Sequence, residues 1–172
     1  MILFAALVWA CMNVWTAPMG VIWHTFHGGS ASFEGHKIHV PWDMIVLQQD
    51  DQSITIIREA PKYPILRSPR GVIQIARNRA PATDMSQYYD RIARTNELPP
   101  KGYTFQGLHQ LSAPKGTVYC WEMARLDSSE LSISCWFDKD TLGAALEGSP
   151  VYSQEFYKAV ETVSGAYSPA NR

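Results

Sequence analysis

The rhythm of apolar and polar positions changes several times along this chain, and each change marks an element. From Met1 to Trp23 (MILFAALVWACMNVWTAPMGVIW) the run is apolar and contains no Asp, Glu, Lys, Arg or His. A bilayer-spanning helix needs about 20 such residues, so the run predicts an N-terminal hydrophobic helix, kinked or ended near Pro18 and Gly20. After a Gly-Gly-Ser hinge at Gly28 to Ser30, the stretch Phe33 to Val40 reads as a strand with Gly35 as a bulge, ending at Pro41. Met44 to Gln48 and Ser53 to Ile57 flank the polar turn Gln49 to Gln52, which is a hairpin pattern. The Pro-rich Ala60 to Arg70 is a loop by composition, and Gly71 to Arg77 is a further β-rich segment.

Helical periodicity then takes over. Asp84 with Gln87 three residues on matches a capping box, and Met85, Tyr88, Tyr89, Ile92 and Ala93 repeat on one helical face. Asn96 and Pro99-Pro100 mark its end. Tyr103 to Leu111, Val118 to Arg125 and Glu130 to Phe137 return to strand patterning, separated by the turns Ala113 to Gly116 and Asp127 to Ser129. Ser149-Pro150 fits an N-cap followed by Pro at the first helical position, and Phe156, Ala159, Val160 and Val163 form the apolar stripe of a closing helix.

About six short strands joined largely by hairpins, with helices laid on them, predict an α+β fold built on an antiparallel sheet. The expected division is a membrane anchor or signal-like segment over 1–23, a linker over 24–30, one α+β domain over 31–164 and a tail over 165–172. Three readings of the leader compete. An uncleaved anchor is favoured, because no basic residue precedes the apolar run and Pro18 spoils cleavage after Ala17. A processed signal, including a lipoprotein in which Cys11 is lipidated, and a buried helix of the domain are the alternatives. An anchor would place the domain on a membrane, outside the cytoplasm.

The motifs Phe33-Glu34-Gly35 leading to Val40-Pro41-Trp42, and the closing helix Phe156-Tyr157-Lys158-Ala159-Val160, resemble the Mog1/PsbP-like family of α/β/α sandwich domains over Phe33 to Val163. The resemblance implies that fold and an accessory or binding role, as in the photosystem subunits and the nuclear-transport factor of that superfamily. Their partner-binding and metal-binding motifs have no residue-by-residue counterpart here, so only the fold and the style of function carry over.

Composition narrows the chemistry. At 172 residues with a formal net charge of -1, the chain suits one folded domain and offers no global basic surface for nucleic acid. Charge is distributed unevenly: Arg58, Lys62, Arg67, Arg70, Arg77 and Arg79 face one acid, Glu59, between Arg58 and Arg79, whereas acids outnumber bases from Asp127 to Glu161. The basic loop suggests contact with an acidic partner or anionic headgroups.

His24, His27, His36 and His39 crowd one stretch and raise a zinc or copper carrier as one alternative, although His36 and His39 would point to opposite faces of a strand. The other alternative is a cysteine-dependent enzyme using Cys135 as nucleophile with His109 as base, since a thiolate needs an imidazole to activate it. The strand Leu131 to Cys135 resembles the cysteine strand of sortases, but no Arg follows Cys135 before Arg172. Matching the apolar face Tyr119, Trp121 and Met123 to Leu131, Ile133, Cys135 and Phe137 would set Trp121 opposite Cys135, so no Cys120–Cys135 bridge is expected. Serine-elbow and phosphate-loop motifs are missing from the sequence. The reading favoured is a membrane-tethered, non-enzymatic binding or accessory domain for an unknown protein or envelope partner, with no catalytic, cofactor-binding or metal residue assigned and no cofactor expected.

Overall fold

A computed structural model describes residues 16–58, 70–77, 84, 86–87, 90, 101–114, 116–138 and 141–165. Among these, nine strands and two α-helices have both bounds described: α1 (Thr16–His27), β1 (Ser30–Phe33), β2 (His36–His39), β3 (Ile45–Gln49), β4 (Ser53–Arg58), β5 (Gly71–Arg77), β6 (Tyr103–Ala113), β7 (Gly116–Arg125), β8 (Leu131–Phe137), β9 (Leu142–Gly148) and α2 (Ser153–Ser164), and Ser86, Gln87 and Asp90 are helical as well. The fold is therefore mostly antiparallel β, and the α+β class expected from the sequence is corrected. β1 and β2 form a two-stranded sheet, and the rest form a seven-stranded sheet in the order β3-β4-β5-β9-β8-β7-β6.

Two local misreadings explain the difference. The single bulged strand expected over Phe33 to Val40 is a hairpin, because Glu34 and Gly35 both take positive φ (53° and 76°) and turn the chain between Phe33 and His36. Two such residues match the twist of the flanking strands, and Gly35 adopts that backbone without steric cost. Arg77 holds the turn from outside, donating to both carboxylate oxygens of Glu34 at 2.6 Å. The second misreading concerns β9, Leu-Gly-Ala-Ala-Leu-Glu-Gly, whose Ala and Gly residues carry little strand propensity. It nevertheless occupies the middle of the sheet, paired with β5 on one side and β8 on the other.

Alternation then builds the core. Ile54 and Ile56 of β4, Ile73 and Ile75 of β5, Ala144 and Leu146 of β9, and Ile133 and Cys135 of β8 are buried on one face of the large sheet. They share one cluster with Phe156, Ala159, Val160 and Val163 of α2 and with Ala31, Phe33, Ile38 and Val40 of the small hairpin. The stripe predicted for the closing helix is thus its buried face. Ser149 accepts a hydrogen bond from Val151 N (3.4 Å) at the head of a 3-10 turn, Pro150–Tyr152, which leads into α2.

At one end of the sheet Gly71 and Gly148 stand opposite each other in β5 and β9. A Cβ on Gly71 would lie 2.6 Å from the Tyr152 ring, and one on Gly148 would lie 2.3 Å from the Arg70 carbonyl oxygen. Only glycine permits both approaches, and together they bring Arg70 and Tyr152 against the sheet. Of the helix predicted after Asp84, the described residues show the start: Asp84 Oδ1 accepts from the backbone N–H groups of Ser86 (3.1 Å) and Gln87 (3.3 Å). Met85, Tyr88, Tyr89, Ile92 and Ala93 lie outside the described residues.

The spanning helix expected over Met1 to Trp23, and the membrane-anchored location that followed from it, are also corrected. No helix among the described residues is long and apolar enough to cross a membrane. α1 has 12 residues and rises about 18 Å, against a hydrocarbon core of about 30 Å. It continues past Trp23 to His27 and is part of the fold: Gly20 is buried, Trp23 packs on the core cluster, and His24 Nε2 lies 2.9 Å from the Pro41 carbonyl oxygen. Residues 1–15 lie outside the described residues.

Candidate functional site

The candidate nucleophile Cys135 is on β8 and the candidate base His109 is on β6, with β7 between them, and the thiol is spent. Cys120 of β7 stands directly opposite Cys135 of β8, with Cα atoms 4.0 Å apart, and the two form a disulfide. Both are buried, at 0% and 1% exposure. The expected pairing of Trp121 with Cys135 is off by one residue, since Trp121 faces Ser134. Face matching failed because β7 is buried on both sides: Val118, Tyr119, Cys120 and Trp121 are all buried in succession. With no polar side to exclude, apolarity does not select a register.

His109 of β6 pairs with Cys120 across the ladder, yet its side chain turns to Glu122 (Nε2 to Oε1, 3.5 Å) and to the Tyr157 ring, 6.0 Å between centroids. Tyr157 donates to Glu122 Oε1 at 2.6 Å, and burial together with this carboxylate pushes the Tyr157 hydroxyl well above its ordinary pKa. The group ties α2 to β7. The clustered histidines disperse as well: His27 Nδ1 lies 2.9 Å from Trp23 O with its ring stacked on that indole, and His36 and His39 are exposed on β2. Among the described residues no three His, Cys, Asp or Glu side chains converge as a metal set would.

What the fold does assemble is a cavity of about 640 Å³ at the glycine-paired end of the sheet. Ile57 and Thr55 of β4, Val72 of β5 and Leu47 of β3 supply its floor, and Arg70, Arg125, Glu130 and Glu147 supply its charge. Here the basic and acidic stretches of the sequence meet. Arg70 donates to Glu130, whose carboxyl is held below the usual range chiefly by that guanidinium. Arg125 donates to both oxygens of Asp127 (2.9 and 2.8 Å) and reaches Glu130 at 3.5 Å. Glu147 accepts from Ser132 Oγ at 2.6 Å.

No family model and no curated protein matches the chain.

The cavity therefore has to be understood from its own residues. Arg58 borders the cavity at the end of β4 and turns its guanidinium to the core face of the sheet. It donates to Asp43 and, at 3.1 Å, contacts the Tyr152 hydroxyl, which itself donates to Asp43 at 2.8 Å. Burial, above all, pushes Tyr152 up to about 12. Arg58 Nε–H, by contrast, is buried and lacks an acceptor. Arg70 and Arg125 are more accessible, with side chains 56% and 36% exposed.

Of the basic residues singled out in the sequence, Arg58 and Arg70 reach this site, Arg77 is engaged with Glu34, and Lys62, Arg67 and Arg79 lie outside the described residues. Asp43, Arg125, Glu130, Glu147 and Tyr152 went unnoticed as site residues. Asp43 had a signal, a lone acid within the apolar run Val40 to Leu47. The others are brought together only by strand order.

Proposed function

We propose that this protein is a non-catalytic binding domain that uses the arginine-lined cavity to hold a partner segment carrying a carboxylate beside an apolar side chain. The observation that carries this reading is the convergence of Arg70 and Arg125 on one cavity with an apolar floor. Both guanidinium groups are solvent-accessible. A few placed polar groups over an apolar surface are the usual composition of a recognition site. Guanidinium groups suit carboxylates because their N–H fork matches the two oxygens. Glu130 and Asp127 hold Arg70 and Arg125 in place in the free protein, and an incoming carboxylate shares or displaces these contacts. An enzyme built on Cys135 finds no support, because a bridged sulfur is not a thiolate.

The test is fluorescence anisotropy with two labelled peptides of equal length, one alternating Glu with Leu and one alternating Lys with Leu. The acidic peptide binds, and its affinity falls with added salt because exposed charges are screened. Arg70→Ala combined with Arg125→Ala weakens that binding by about tenfold or more. Equal binding of both peptides, or an unaffected double variant, would sink the proposal.

A further inference from the structure

We infer that β6 is an association edge, along which two copies of this chain pair antiparallel and join their seven-stranded sheets into one. β6 is the last strand of the sheet, so one of its two backbone edges has no partner strand among the described residues. Which residues face that edge follows from the hydrogen-bond parity of β7. Asp138 N donates to Thr117 O at 2.8 Å and Arg125 N donates to Glu130 O at 2.9 Å, so the odd-numbered residues of β7 bond toward β8. Bonds alternate along an antiparallel strand, so Val118, Cys120 and Glu122 bond toward β6, where they meet Leu111, His109 and Gly107. Leu108, Gln110 and Ser112 are left with their N–H and C=O groups directed away from the sheet.

An exposed ladder of this kind can be matched only by another extended strand. Edge strands are ordinarily protected by charge, proline, brevity or cover. β3, the other edge, has that protection: it is 5 residues long, shifts register between Val46 and Gln48, and is tied to the hairpin by Gln49 Nε2 donating to Ser32 O at 2.7 Å. β6 runs 11 residues, Tyr-Thr-Phe-Gln-Gly-Leu-His-Gln-Leu-Ser-Ala, with no Lys, Arg, Asp, Glu or Pro. Its bulge, between Phe105 and Gly107, lies near the start and leaves Gly107 to Ala113 regular.

A second copy fits this edge better than a strand of different composition. Two-fold pairing centred on Gln110 sets Gln110 against its own mate and Leu108 against Ser112, which uses every outward-facing residue of the regular stretch. Side chains stay on matching faces, because residues opposite each other in an antiparallel pair share a face. No like charges meet, and a Gln amide is both donor and acceptor, so it is complementary to itself. The pairing is isologous and closes at two.

Sedimentation velocity on the full chain, from micromolar to millimolar concentration, is expected to show a reversible monomer–dimer equilibrium. Hydrogen exchange across the same series is expected to protect the amides of Leu108, Gln110 and Ser112 as the dimer forms, with His109 and Leu111 protected throughout. Gln110→Lys places like charges at the two-fold axis and weakens dimerisation by about tenfold or more. Gln110→Pro removes an outward N–H that serves no bond among the described residues, and it does the same. A chain that stays monomeric throughout, a dimer insensitive to Gln110→Lys, or protection of the three amides in the monomer would each overturn the assignment.

Discussion

Asp43 is the residue on which the buried polar chemistry turns. It accepts from Arg58 and from the Tyr152 hydroxyl, so it neutralises that part-buried guanidinium and ties the segment after β2 to β4 and to the turn before α2. Removing one member of such a pair leaves the other charge uncompensated away from water. Asp43→Ala is therefore expected to cost about 3–5 kcal/mol in urea unfolding. Tyr152→Phe removes one hydrogen bond and should cost only about 1 kcal/mol. Near-equal losses for the two variants would show that Asp43 does not compensate Arg58.

Among the elements, the β7–β8 pair carries the largest single constraint. The Cys120–Cys135 bridge spans 15 residues and lies inside the core, between strands already aligned by their ladder. Bridging a loop of that length restricts the unfolded chain by about 3 kcal/mol in the loop-entropy account. The Cys120→Ala, Cys135→Ala double variant is expected to lower the free energy of unfolding by roughly 2–4 kcal/mol. Alkylation of the denatured, unreduced protein should modify one thiol of the three, Cys11. Labelling of Cys120 or Cys135 before reduction would contradict the bridge.

At the scale of the whole molecule, the small hairpin, α2 and α1 are the cover that makes one core out of a large sheet. α1 contributes through Trp23, which packs on that core, while Met19, Ile22 and Phe26 face outward. Loss of a large apolar side chain from such a contact costs about 1.5–3 kcal/mol. A chain starting at residue 16 is thus expected to unfold at higher temperature than one starting at residue 28, by several degrees in a calorimetric scan. Equal midpoints would mean that α1 is dispensable to the domain.

Much of the local structure was legible in the sequence. Alternation located β4 to β8 to within a few residues, Asp84 was identified as a cap, and the stripe Phe156, Ala159, Val160 and Val163 was read as the inner face of the closing helix. These features depend on neighbours in the chain, and periodicity records them. β9 escaped because its Ala and Gly residues owe their strand conformation to β5 and β8 on either side. The Cys120–Cys135 register escaped because both faces of β7 are buried, and the packing of α1 because a 12-residue apolar helix looks alike whether lipid or protein covers it. The cavity could not be read at all: Arg58, Arg70, Arg125, Glu130 and Glu147 come from separate strands and strand ends, and only the order in which those strands hydrogen-bond makes them neighbours.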